Sequence, residues 1–181
     1  MKSGYALRHA TPQDAAAIAE VHVASWHETY AGLVPDEMLA ALSVEARSQN
    51  WSRMLGDLPA FQLDAVFVAT SSDGIVGFGA CGPQRDDGLA AQGLSGEIGS
   101  IYVRRFHQGR GLGAALMKAM FAALHDAGHD AASLWVLVDN APVRNFYERM
   151  GGTALGEKGE QRGETILREV AYGWRGLSVT G

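Results

Sequence analysis

Residues 108–113 read Gln-Gly-Arg-Gly-Leu-Gly, between an apolar run ending Ile101-Tyr102-Val103 and a helical pattern that starts at Leu112. Gly109, Gly111 and Gly113 leave few side chains in the way, and the first N–H groups of a helix have no partner within it. The stretch therefore reads as a mouth of bare backbone donors whose natural occupant is an anion, above all a phosphate. A Gly-rich turn between strand and helix, which uses glycine's access to positive φ, accounts for the same letters. The neighbouring segments decide between the two.

Outward from that loop the pattern is strand-helix-strand-helix. Glu97 to Val103 reads as a strand, Leu112 to Ala127 as a helix ended by Gly128, and Ser133 to Val138 as the near-continuous apolar run of a buried strand. Asn140 to Met150 forms a short helix, with Pro142 near its start and Gly151-Gly152 beyond its end. Upstream, Tyr5 to His9 is a short strand, and Thr11-Pro12-Gln13-Asp14 opens a helix that fades near Tyr30-Ala31-Gly32. The inward positions of this helix are Ala15, Ile18, Ala19, Val21, His22, Ser25 and Trp26. Pro35-Asp36-Glu37 opens a second helical stretch with a break at Ser43, closed by Gly56 and Pro59. Ala65 to Thr70 and Ile75 to Cys81 read as a hairpin around Asp73-Gly74, and Pro83 to Gly96 as an exposed, mobile loop without periodicity. Thr153 to Glu157 and Glu164 to Tyr172, on either side of Gly159 to Gly163, make a last hairpin. The sum is one α/β (α+β) domain over residues 1–181, with a mixed sheet of about seven strands flanked by about four helices.

Bulk composition narrows the function classes. A chain of 181 residues with 47% hydrophobic and 19% charged residues has the make-up of one soluble domain. A net charge of -5 argues against a nucleic-acid binder. Arg104, Arg105, Arg110 and His107 nevertheless cluster at the glycine loop, as phosphate partners or as an ordinary solvated surface. The single cysteine, Cys81, rules out an internal disulfide and reads as packing, with no His-Asn or His-Asp arrangement to make it a nucleophile. The six histidines show no metal-ligand spacing; His22 and His27 are five apart, on different helix faces. Neither a secretory signal nor an apolar run long enough to cross a membrane is present, so the cytoplasm is the expected compartment.

Two motifs carry a family likeness. Gln108, Gly111 and Gly113 fall on the pattern Gln/Arg-x-x-Gly-x-Gly/Ala, and Asn140, Val143, Tyr147, Gly151 and Gly152 fall on Asn-x-x-Ala-x-x-x-Tyr-x-x-x-Gly-Phe. In this order, separated by a helix and a strand, they make the chain resemble the GNAT superfamily of N-acetyltransferases over nearly its whole length. Val143 for alanine is a mild departure, whereas Gly152 for phenylalanine removes an aromatic ring that would pack behind the last strands. The resemblance implies a splayed central strand pair that receives the pantetheine of acetyl-CoA, and a small-molecule or peptide amine that attacks the thioester directly. A homodimer through the last strands stays open.

The resemblance also implies the site. Cofactor contacts fall on Ile101, Tyr102, Val103, Gln108, Gly109, Arg110, Gly111, Leu112, Gly113 and Ala114, with Arg104, Arg105 or Arg110 for the 3′-phosphate. Asn140 and Asn145 join them, although Asn140 is equally an ordinary helix cap. Tyr147 is the donor to the departing sulfur, or else an aromatic packed on the core. Glu97 is the base that takes the amine proton, directly or through water, or else a solvated strand end; a bulge at Gly99-Ser100 would re-aim it. A main-chain N–H near Ile101 to Val103 would meet the oxyanion. Trp26, Tyr30 and His22 are the acceptor-pocket candidates. Net charge favours a cationic amine. Two other classes remain: a non-enzymatic CoA-binding module of the same fold, and a dinucleotide-binding unit, since Gly109, Gly111 and Ala114 also satisfy Gly-x-Gly-x-x-Ala with Asp139 after the next strand.

Overall fold

The computed structural model describes residues 1–162 and 165–177. Strand β1 (Ala6–His9) leads through a single 3-10 turn into α1 (Ala15–Tyr30), then α2 (Asp36–Ala40) and α3 (Val44–Gly56). The break at Ser43 is real: its hydroxyl accepts from the Ala46 N–H and caps α3. At the start of α1 the carboxylate of Asp14 reaches back to the Thr11 N–H and is gripped by Arg8 at 2.6 and 2.8 Å. Next come β2 (Ala65–Ser71), β3 (Gly74–Pro83), α4 (Asp87–Ala90), β4 (Gly96–Val103), α5 (Leu112–Asp126), β5 (Ala131–Leu137), α6 (Ala141–Arg149), β6 (Thr153–Arg162) and β7 (Thr165–Arg175).

All seven strands form one sheet in the order β1-β2-β3-β4-β5-β7-β6. Only the β4–β5 junction is parallel, and it consists of two pairs, Gly96 with Ala132 and Glu97 with Ser133. Beyond Glu97 the two strands part. Alternation along β2 shows how the layers are held: Ala65, Phe67 and Ala69 face α5, whose Leu112, Leu116, Met117, Met120 and Leu124 are almost wholly buried, whereas Val66 and Val68 face α1 and α3. Cys81 lies within the first of these layers, its thiol pushed up to about 12 by burial. No helix among the described residues is long and apolar enough to cross a membrane.

Two expectations need correction. Pro83 to Gly96 is not a loose loop: Asp86 caps α4 by accepting from the Leu89 N–H, and Leu89 and Leu94 are buried with Ala131 and Ala171. A four-residue helix is too short to show a period. The last hairpin is also longer than its glycines suggest, because Gly159 pairs with Arg168 inside the ladder and β7 runs on to Arg175. Gly163 and Glu164 lie outside the described residues.

Candidate active site

The parting of β4 from β5 opens a groove of about 120 Å³ walled by residues 98–103 and 134–136. From α1 come Ser25, Thr29 and Tyr30, and from the α6 region Asn140, Val143 and Tyr147. The anticipated bulge is present: Ala80 pairs with Ser100 and Cys81 with Ile98, which leaves Gly99 as the extra residue. Tyr147 is buried among the rings of Phe146, Tyr172 and Trp174, and that burial raises its pKa and keeps the phenol protonated. Asn140 occupies the N-cap position of α6 but makes no capping bond; its Nδ2 is buried without a partner. Ser25 Oγ, on a residue 2% exposed, is in the same condition. Both orphaned atoms belong to residues that line this one groove, where a bound molecule can complete them. Sequence reasoning placed Ser25 on the inward face of α1 without a role; a hydroxyl at an apolar helical position was the available signal.

The glycine loop closes one end of a larger cavity, about 530 Å³, that continues from Ile101 and Val103 across Gln108, Gly109 and residues 111–114 to α6. Gly109 and Gly111 have φ of 67° and 84°, a region that side chains disfavour, and Gly111 is the N-cap of α5. The Gln108 side chain ties the loop to the strand by donating to the Val103 carbonyl at 2.9 Å. Leu112 is itself a core residue and Ala114 lines the cavity. The three arginines expected at the phosphates are engaged elsewhere. Arg104 donates through Nε to the Glu28 carboxylate of α1 at 3.1 Å, Arg105 donates its backbone N–H to that carboxylate and its guanidinium to the Glu28 carbonyl, and Arg110 donates to the Phe106 carbonyl. Arg149 of α6, which the sequence did not single out, lines the cavity instead. Asn145 is exposed on α6 and borders neither space.

Two further chambers adjoin the groove and share lining residues with it. The first, about 390 Å³, is roofed by Trp26, Tyr30 and Met38 and floored by Glu97, Trp135 and Glu169. Trp26 donates to the Tyr102 hydroxyl at 3.1 Å, so Tyr102 braces this wall. Glu97 is not a solvated strand end: Arg85 holds it through Nε at 3.0 Å, Nη2 at 2.5 Å and its own backbone N–H at 3.1 Å. The bare Gly99 permits this, since a Cβ there would stand 3.2 Å from the Arg85 guanidinium. His22 borders not this chamber but the second, about 260 Å³, with Arg47, Asn50 and Arg85. It stacks on Tyr102, accepts from Trp51 Nε1 at 3.3 Å, and is lowered to about 4 by burial and by Arg47, hence neutral at pH 7. The absent ring at position 152 is also explained. Trp174 fills its place, with Nε1 donating to the Met150 carbonyl and its ring 2.7 Å from where a Cβ of residue 152 would lie.

Residues 26–152 match the acetyltransferase (GNAT) family. Over 174 residues the chain is 31% identical to the uncharacterized N-acetyltransferase YuaI of Bacillus subtilis (strain 168), across 96% of this chain and 94% of that protein. Among solved structures, yncA of Salmonella typhimurium with its cofactor acetyl-CoA has a TM-score of 0.67 at 19% identity, over 99% of this chain and 97% of the other. The PaiA N-acetyltransferase of Thermoplasma acidophilum in complex with coenzyme A has a TM-score of 0.66 at 18% identity, over 94% and 98%. At these identities the structural likeness concerns the fold. The two-rung β4–β5 junction, set among antiparallel neighbours, departs from the continuous parallel sheet of a dinucleotide-binding unit.

Proposed function

Because the chain belongs to the acetyltransferase (GNAT) family, we propose that it carries an acetyl group from acetyl-CoA to a primary amine by direct attack on the thioester. The observation that carries this reading is the pair of buried, unpartnered polar atoms, Asn140 Nδ2 and Ser25 Oγ, beside Tyr147 in the groove where β4 and β5 separate. Pantetheine in that groove hydrogen-bonds through its amides to the free edge of β4 at residues 101–103 and meets the two orphans. The loop N–H groups of residues 108–114 hold the pyrophosphate, and Arg149 takes the 3′-phosphate.

The chemistry then needs three groups. The neutral amine attacks the thioester carbonyl; a C–N bond forms, and the oxyanion is met by a main-chain N–H near Ile101 to Val103. Glu97, which lines the acceptor chamber next to Ile98 and Gly99 of the groove, takes the proton that the attacking nitrogen sheds, directly or through water. When the C–S bond breaks, Tyr147 donates a hydrogen bond to the departing sulfur. A phenol whose pKa burial has raised keeps its proton against a thiolate of ordinary pKa ~8.5, so it stabilises the charge rather than surrendering the proton outright. Trp26 and Tyr30 enclose the acceptor.

The test is calorimetric titration with coenzyme A and acetyl-CoA, followed by free-thiol release across a panel of amines. Binding with turnover is the expected result. Binding without turnover of any amine would leave a CoA-binding module, and no heat with either form would sink the reading.

A further inference from the structure

The second chamber, bordered by His22, Arg47, Asn50 and Arg85, meets the reaction groove at Gly99 and Ser100, which line both. Its cationic, imidazole and amide side chains present donors, beside the Ser100 hydroxyl. Trp51 Nε1–H can only donate, so the His22 Nδ1 it reaches is the bare nitrogen, and the ring proton sits on Nε2, which has no partner among the described residues. Asn50 spends its carbonyl oxygen on Arg53, leaving its NH₂ group. Arg85 commits Nε and Nη2 to Glu97 and keeps Nη1. Arg47 is half-buried, lies 6.0 Å over the Trp26 ring, and has no carboxylate partner among the described residues. Among the described residues no acidic side chain lines this chamber, whereas Glu97, Glu160 and Glu169 line the neighbouring one.

We propose that the chamber at Arg47 is a carboxylate subsite, and that the acceptor is an amine bearing a carboxylate close to its nitrogen, the chemistry of an α-amino acid. Such a molecule spans the junction in one orientation: amine toward Glu97 and the thioester, carboxylate toward Arg47, Asn50 and the His22 Nε2–H. Met54, Phe61 and Leu63, on the same wall, suit an apolar side chain. This site favours an acceptor with an anionic end although the chain as a whole carries -5, because a chamber reads the charges that line it and not their sum over the surface.

The inference rests on the acetyl-transfer reading and fails separately from it. Thiol release is measured with leucine, methionine and phenylalanine, with their carboxamides, and with α,ω-diamines. The free acids are expected to exceed their amides in kcat/KM by roughly tenfold or more, through KM, since a charge-assisted guanidinium–carboxylate contact is lost in the amide. Arg47→Gln is expected to collapse that acid-to-amide ratio toward one, and Arg47→Lys to restore part of it. A direct titration of the CoA-loaded protein with N-acetyl-leucine and its amide reads the same preference without turnover. Equal or better use of amides or diamines, or a ratio untouched by Arg47→Gln, overturns the subsite while leaving acetyl transfer in place. If no amine is turned over, equal heats from the acetylated acid and its amide overturn it as well.

Discussion

Ser25→Ala separates the needs of the folded chain from those of its ligand. The Ser25 hydroxyl is buried without a partner, a condition that costs about 1–3 kcal/mol in desolvation that nothing returns. Position 25 lies inside α1, where alanine is also the better helix former by a few tenths of a kcal/mol. Removing one oxygen leaves almost no cavity. The ligand-free variant is therefore expected to gain about 2 kcal/mol, and in a chain of this length each kcal/mol moves the thermal midpoint by about 2–4 °C, for a rise of about 4–8 °C. Acetyl-CoA should reverse the order of merit. The variant forfeits one hydrogen bond to the donor, a net of about 0.5–1.5 kcal/mol, which weakens binding about 2- to 12-fold. Differential scanning fluorimetry with and without acetyl-CoA, plus calorimetric titration, reads both halves. A ligand-free variant that melts lower than the parent, with donor affinity unchanged, refutes the assignment of Ser25 to the ligand.

Tyr147→Phe should lower kcat by roughly tenfold or more with acetyl-CoA affinity little changed, because it removes the donor proposed for the leaving sulfur; unchanged turnover removes Tyr147 from the mechanism. His22 gives a pH signature. Its pKa is depressed in the folded state, so its contribution is complete above about 6.5 and is lost as pH falls through about 4, roughly 3 kcal/mol in all. His22→Gln, which keeps an acceptor for Trp51, should flatten the fall of unfolding free energy between those pH values, and an unchanged acid slope contradicts the burial argument. Gly152→Phe should destabilise by about 1–3 kcal/mol, because a Cβ there meets the Trp174 ring at 2.7 Å and the Tyr147 carbonyl at 3.0 Å. Adding Trp174→Ala should recover part of the loss, and a neutral single variant would mean that the two rings do not compete for one space.

What was legible in the sequence was whatever a local spacing encodes. The glycines of residues 108–113 and the two-turn interval from Asn140 to Tyr147 each fix a geometry within one element, and each is found in place. The partners of charged groups were not legible, because they come from distant segments. Arg85 reaches Glu97 from twelve residues away across the bend that Asp86 caps, and Glu28 of α1 captures Arg104 and Arg105 that adjoin the glycine loop. Arg47 and Asn50 of α3 line one chamber with Gly99 of β4, a juxtaposition across about fifty residues that no local spacing encodes. Gly152 is the converse case: a departure that looked like a missing ring is filled from β7, which no local reading of residue 152 could supply.

The two rungs that join Gly96–Ala132 and Glu97–Ser133 make the sheet a pair of leaves sharing a short spine. Past that spine the facing edges of β4 and β5 are unpaired among the described residues, and under the proposed reading a donor lying between them would serve as a borrowed eighth ribbon. Occupancy would thereby couple the N-terminal leaf, β1 to β4, to the C-terminal leaf, β5 to β7, across the seam where two pairs join them. If the proposed reading holds, amide protons along 98–103 and 134–137 should be the ones whose exchange slows most when acetyl-CoA fills the seam, so that the reactants would complete the sheet that binds them.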